Sequence, residues 1–121
     1  MSNNFKIPDI LNLFVYGTLK KGCTLNSWLS DAKFIKNARL GGYTLYSLGA
    51  YSIAVKEAGS FIEGEIYEVD EKSLKGVYWM EIGAGFTFLE VDKKENLFMF
   101  YYKTKDFEKL NNAKKIGSKW E

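Results

Sequence analysis

The sequence predicts an α+β fold: a single domain built on one mixed, mostly antiparallel, barrel-like sheet with short flanking helices. Three observations predict it. Strand-like runs dominate, only two or three short segments have helical character, and the two kinds do not alternate as β-α-β units would. No linker, low-complexity stretch or internal repeat divides the 121 residues, so one domain is expected from Leu11 to Trp120. With 46% hydrophobic and 17% aromatic residues, the chain can bury a core without disulfides or metals.

The elements follow in order. Leu11 to Tyr16 (LNLFVY) is apolar and ends at Gly17, which reads as a buried strand entering a tight turn. Asn26 or Ser27 can cap a short helix carrying Trp28 and Leu29. Phe34 to Tyr46 has strand composition, with Gly41-Gly42 marking a bulge or turn. Tyr51 to Val55 and Phe61 to Val69 read as two further strands. In the second, Ile62, Gly64 and Ile66 alternate with Glu63, Glu65 and Tyr67. Asp70 is placed as the N-cap of a helix reaching Glu81. Phe86 to Val91 and Leu97 to Tyr102 read as strands joined by a polar turn around Lys93 to Asn96. The tail from Phe107 to Lys115 has weak helical character.

Composition removes whole classes of chemistry. The chain has no histidine, and Cys23 is its only cysteine. A Ser-His-Asp triad, a Cys-His dyad and the usual zinc sites are therefore excluded, and carboxylates, tyrosines, lysines and Cys23 remain for proton transfer. A single cysteine allows no internal disulfide, which fits a reducing compartment. No basic leader with an apolar core opens the chain, and no apolar run approaches the ~20 residues of a membrane span. A cytoplasmic protein with no membrane association is expected. Seventeen basic and fifteen acidic residues are mixed along the chain, giving a net charge of +2 without a basic stripe, so no nucleic-acid partner is expected.

Two features carry candidate chemistry. In the helix after Asp70, Leu74, Val77, Tyr78 and Glu81 fall at i, i+3, i+4 and i+7 and share a face. Three belong in a core and the fourth is a carboxylate, with Trp79, Met80, Ile82 and Gly83 beside it and no positive charge nearby in sequence. Desolvation of such a group raises its pKa, which makes a general acid/base near neutrality. The plain alternative is that Glu81 ends the helix and faces water. The second feature is Tyr16-Gly17-Thr18-Leu19-Lys20-Lys21-Gly22, a strand end running into a glycine turn. Successive backbone N–H groups there can hold a carboxylate or an oxyanion. Its alternative is an ordinary turn with Lys20 and Lys21 solvated. Cys23 reads as a weakly reactive thiol, and core packing is the default for Trp28 and Trp79. Gly83-Ala84-Gly85 is either a flexible rim beside Glu81 or a helix cap followed by a turn.

Together these blocks resemble the γ-glutamylcyclotransferase-like (AIG2-like) proteins. Phe14 to Gly22 is similar to the family's strand followed by Tyr-Gly-Ser/Thr-Leu. Ala38 to Tyr46 resembles its second strand block, and Gly64-Glu65-Ile66-Tyr67-Glu68-Val69 its Gly-Glu-apolar-Tyr strand. Leu74 to Glu81 matches the helix that ends in the catalytic glutamate, and Gly117-Ser118-Lys119-Trp120 a Gly-x-x-Trp element. The resemblance covers nearly the whole chain. It implies a small barrel-like sheet with a cavity beside the first loop, and a reaction that needs no cofactor or metal: release of 5-oxoproline and a free amine from a γ-glutamyl amide, an acyl transfer. It implies Glu81 as catalytic acid/base and Tyr16, Gly17, Thr18 and Leu19 as the residues that bind a small γ-glutamyl substrate. A non-catalytic module capturing another small ligand in the same cavity is the alternative. Three positions depart from the pattern: Tyr78 stands for an Asp, Phe86-Thr87-Phe88 for Tyr-x-Arg, and Tyr51-Ser52 for Tyr-Pro.

Overall fold

In the computed structural model, which describes residues 9–17, 19–22, 26–47, 52–83, 86–101 and 114–119, the first strand already shows where the core lies. In β1 (Ile10–Val15), Leu11, Leu13 and Val15 are buried on one side and Phe14 on the other. Apolar side chains on both faces require cover on both faces, so β1 is a central strand. It pairs antiparallel with β3 (Ser52–Asp70) and parallel with β5 (Leu97–Tyr101). β2 (Lys33–Ser47) continues the sheet beyond β3, β4 (Thr87–Asp92) flanks β5, and β6 (Lys114–Gly117) flanks β2, giving the order β4-β5-β1-β3-β2-β6. Among the described residues the sheet is mixed with one parallel pair, curls into a half-barrel, and carries one α-helix, α1 (Glu71–Gly83). This is the α+β, mostly antiparallel architecture expected from the sequence.

Two expected strands are one. Tyr51 to Val55 and Phe61 to Val69 were separated by the polar, glycine-containing stretch Lys56–Ser60, yet β3 runs unbroken through it. Tyr51 itself lies outside the described residues. The β2–β3 ladder steps from Gly41↔Phe61 to Tyr43↔Lys56, passing over Gly42 on one strand and Glu57 to Ser60 on the other. Gly42 and Gly59 take positive φ values of 91° and 85°, which L side chains rarely adopt. The ladder is therefore interrupted by a large bulge, and the Ser60 hydroxyl donates to the Glu57 carboxylate at this corner. Bulges bend and twist a strand.

The expected weak helix at Phe107 to Lys115 is corrected at its C-terminal end. Lys114 and Lys115 belong to β6, which pairs with Tyr46 and Ser47 of β2; residues 107–113 lie outside the described residues. The exposed edge of β2 supplies backbone partners that outweigh a weak local preference, and Lys115 Nζ reaches Glu57 at 2.8 Å.

The helix starts where its cap predicts, since Asp70 Oδ1 accepts the Ser73 N–H at 2.8 Å. Leu74 and Val77 are buried in a core with Leu13, Val15, Phe98 and Phe100, while Phe14, Leu45, Ile62 and Met99 fill the other face of the sheet. Gly76 costs the helix about 1 kcal/mol relative to alanine. Its reason is tertiary: a Cβ there would stand 3.0 Å from the Trp28 ring. Trp28 lies in a single 3-10 turn, Asn26–Leu29. It is 46% exposed and Trp79 is 64% exposed, so the core placement expected for both is corrected. Trp28 lies along the helix at Gly76, which has no side chain, and Trp79 meets Tyr78 at a near-perpendicular angle, 5.6 Å between ring centres. No helix among the described residues is long and apolar enough to cross a membrane.

Candidate functional site

Glu81 sits in the last turn of α1, on the face that buries Leu74 and Val77. Tyr78, one turn earlier, is partly buried against Phe88 and Phe100, with ring centres 5.7 and 6.2 Å away. The Glu81 side chain is half-buried, and burial pushes its carboxyl up from 4.5 to about 7. Desolvation disfavours the ionised form, and burial is the cause of the rise.

The helix ends firmly. The Phe86 N–H donates to the Glu81 carbonyl at 2.9 Å, the six-to-one bond of a Schellman-type closure, and Phe86 is itself buried. Gly83 is still helical. Ala84 and Gly85, the rest of the segment read as a rim or a cap, lie outside the described residues.

Tyr16 brings the first loop to this carboxylate. It follows β1 directly and is 5% exposed. Its hydroxyl donates to the Phe100 carbonyl at 2.6 Å and accepts the Ala54 N–H. Burial raises the phenol far above its ordinary range, and the neighbouring Glu81 charge raises it further. That second effect brings Glu81 within electrostatic reach of Tyr16, 65 positions away in the sequence. Tyr16 thus stays protonated and ties β1, β3 and β5 together beside Glu81.

Beyond Tyr16 the chain turns sharply, with the Lys20 N–H donating to the Gly17 carbonyl at 3.0 Å. Leu19 is buried in the helix-side core and its carbonyl accepts from Asn26 Nδ2 at 2.8 Å. Thr18 and Cys23 lie outside the described residues. A Cβ at Gly17 would stand 2.7 Å from Ser52 Oγ, so any side chain there would make the serine hydroxyl turn aside. Sequence reasoning treated Ser52 only as a missing proline. Here its hydroxyl is buried beneath the turn, with no hydrogen-bond partner among the described residues.

The turn's two lysines part company. Lys21 is exposed and its backbone N–H donates to Glu65 Oε1 at 2.7 Å. Lys20, expected to be solvated, is 8% exposed. It lines a cavity of about 500 Å³ together with residues of β2, β3 and Lys119. Glu81 is not among that cavity's lining residues, so the cavity and the Glu81–Tyr16 neighbourhood are different places beside one loop.

The gross arrangement is that of known proteins. The family model described as gamma-glutamyl cyclotransferase, AIG2-like, matches residues 13–120. A candidate gamma-glutamylcyclotransferase of Pyrococcus horikoshii is 38% identical over 84 residues, covering 69% of this chain and 71% of that protein. Its crystal structure superposes with a TM-score of 0.70 at 35% identity, covering 78% of this chain and 80% of the other. A gamma-glutamylcyclotransferase family protein of Escherichia coli K12 is 34% identical over 64 residues, which span 53% of this chain and 56% of its own length. Gamma-glutamylaminecyclotransferase B of Danio rerio is 39% identical over 79 residues, covering 57% of this chain and 41% of that protein. A family model spanning almost the whole chain, and a relative matching it in sequence and fold alike, lead to one conclusion: the chain belongs to the gamma-glutamyl cyclotransferase, AIG2-like family.

Proposed function

We propose that the protein is a γ-glutamylcyclotransferase that converts a γ-glutamyl amide to 5-oxoproline and a free amine, with Glu81 as the proton shuttle. The observation that carries this reading is a carboxyl poised at about 7 next to the Tyr16 loop. At neutral pH it is divided between its two protonation states. The ionised form takes a proton from the substrate's α-ammonium. The free amine attacks the γ-carbonyl carbon, closing a five-membered ring. As the tetrahedral centre collapses, the bond to the leaving nitrogen breaks, and Glu81 returns the proton to that nitrogen. The ring nitrogen gives up its second proton as the lactam forms, and that proton leaves on the released amine as an ammonium, so protons and electrons balance within the substrate and one carboxyl. Intramolecular attack gains from proximity, so little further machinery is needed. Backbone N–H groups of the turn at Gly17, Thr18 and Leu19 hold the γ-glutamyl group in this reading.

The altered positions fit the same reading. Tyr78 and Phe88, standing where an Asp and an Arg are usual, pack against each other edge-to-face at 5.7 Å. The two replacements meet in one contact, so an aromatic pair supports the helix end under Glu81.

The test is 5-oxoproline release from a panel of γ-glutamyl amines and γ-glutamyl amino acids. Glu81→Gln keeps the side chain's shape and removes the proton, and the rate is expected to fall roughly 10²–10⁴-fold. An equally active Gln variant would overturn the role of Glu81. A wild-type protein silent on the whole panel, yet stabilised against heat by one of these compounds, would favour the binding-module reading.

A further inference from the structure

The cavity beside Lys20 is lined by an unusual balance of charge. Lys20, Arg39 and Lys119 face it together with Glu63 and Glu65. At about 500 Å³ it has the size of a small-molecule site. A simple anion there meets two carboxylates, and a simple cation meets three cations. A ligand carrying both charges satisfies both sets.

The positions of these groups are fixed by the sheet. Asn37 pairs with Glu65 and Arg39 with Glu63 in the β2–β3 ladder, with the Ala38–Gly64 rung between them. The two rungs lie two residues apart, about 7 Å. Glu65 is held by the Lys21 N–H at 2.7 Å and the Tyr67 hydroxyl at 3.2 Å, both on Oε1. The Arg39 guanidinium lies over the Phe61 ring, 4.8 Å from its centre, and stands 4.0 Å from Glu63, too far for a close ion pair. Lys119 is delivered by the C-terminal segment, whose Ser118 carbonyl accepts the Glu63 N–H at 2.6 Å. Lys20 is the buried member, and a lysine that far from water sits in a built wall and not on a loose surface.

We propose that this cavity binds the zwitterionic head of an α-amino acid, its carboxylate between Arg39 and Lys119 above Lys20 and its ammonium on Glu65, at a site separate from Glu81. The ammonium and carboxylate of one amino-acid head lie about 3 Å apart, and a hydrogen bond of about 3 Å at each end lets them reach groups on the two rungs. Arginine's forked donors suit a carboxylate, and the glutamate's second oxygen faces a bound ammonium.

The experiment is an amide-shift NMR titration with three probes of one chain length: L-norleucine, pentylamine, which lacks the carboxylate, and hexanoate, which lacks the ammonium. Norleucine is expected to give saturable shifts at the amides of Lys20, Asn37 and Gly64. Each single-charge probe is expected to bind roughly tenfold or more weakly. Arg39→Gln and Lys119→Gln lie at the surface and keep the fold, and each is expected to weaken norleucine several-fold. Glu65→Gln keeps the oxygen that Lys21 and Tyr67 use, and it is expected to act in the same direction. Hexanoate or pentylamine binding as tightly as norleucine would overturn the zwitterion. Absence of saturable shifts would overturn the site. Shifts at Glu81, Ile82 and Phe86 as large as those in the cavity would overturn its separateness. No turnover is measured, so failure here is distinct from failure of the cyclotransferase reading.

Discussion

Between pH 4.5 and 7 the folded chain holds a proton on Glu81 that the unfolded chain releases. The folded state binds more protons across that window, so stability falls as pH rises through it and levels off above 7. Asp70 and Glu57 have lowered values, held by the Ser73 N–H and by Lys115 respectively, and they lose their contribution only below the window. Unfolding in denaturant is therefore expected to show lower stability at pH 8 than at pH 5, and Glu81→Gln to flatten the difference. A variant with the wild-type slope would place the titration elsewhere. Ser52 gives a second prediction at the same scale. A buried hydroxyl without a partner carries its full desolvation cost, so Ser52→Ala is expected to stabilise the protein by about 1 kcal/mol. An unchanged or lower denaturation midpoint would mean that the hydroxyl is satisfied in solution.

Gly64 shows what a single strand position demands. It was read from sequence as one beat of an alternating strand, but a Cβ there would collide with the Val15 carbonyl oxygen and come 2.7 Å from the Phe14 ring. Backbone atoms cannot swing aside as a flexible side-chain end can, so Gly64→Ala is expected to cost about 3 kcal/mol. Equilibrium unfolding measures it, and a loss below about 0.5 kcal/mol, the scale of an ordinary surface change, would show that β1 and β3 can separate to admit a methyl group. The helix makes the complementary point. Its start and its buried face were readable because capping and a 3.6-residue period are local. The partners of Tyr78 came from β4 and β5, where Phe88 and Phe98 stack at 4.9 Å.

Across the whole molecule, the sheet order predicts a gradient of protection. β1 and the part of β3 paired with it lie inside the sheet and carry both cores, whereas β4 and β6 are its edges. Native-state hydrogen exchange is expected to be slowest at Leu13, Phe14 and Ile66. It is expected to be faster in β6, whose four residues open without unfolding the rest. Equal protection in β6 and β1 would mean that the C-terminal strand opens only with the whole domain.

Much of this was legible in the residues alone. The α+β class, the cap at Asp70, the helix face leading to Glu81 and the Tyr16-Gly17 turn all rest on interactions within a few positions. The absence of histidine limited the chemistry before any fold was considered. Other properties arose only when distant segments met. β3 is one strand across Lys56–Ser60 because β2 pairs with it on both sides of that stretch. The strand at Lys114 came from the open edge beside Ser47. The burial of Lys20 came from strands two elements away, and the half-exposure of Trp28 from the helix surface at Gly76. Glu81 combines both origins. Its place on a helix face is written in a 3.6-residue period, but its raised pKa depends on how much water the tertiary packing removes, and desolvation is set by every neighbour in space.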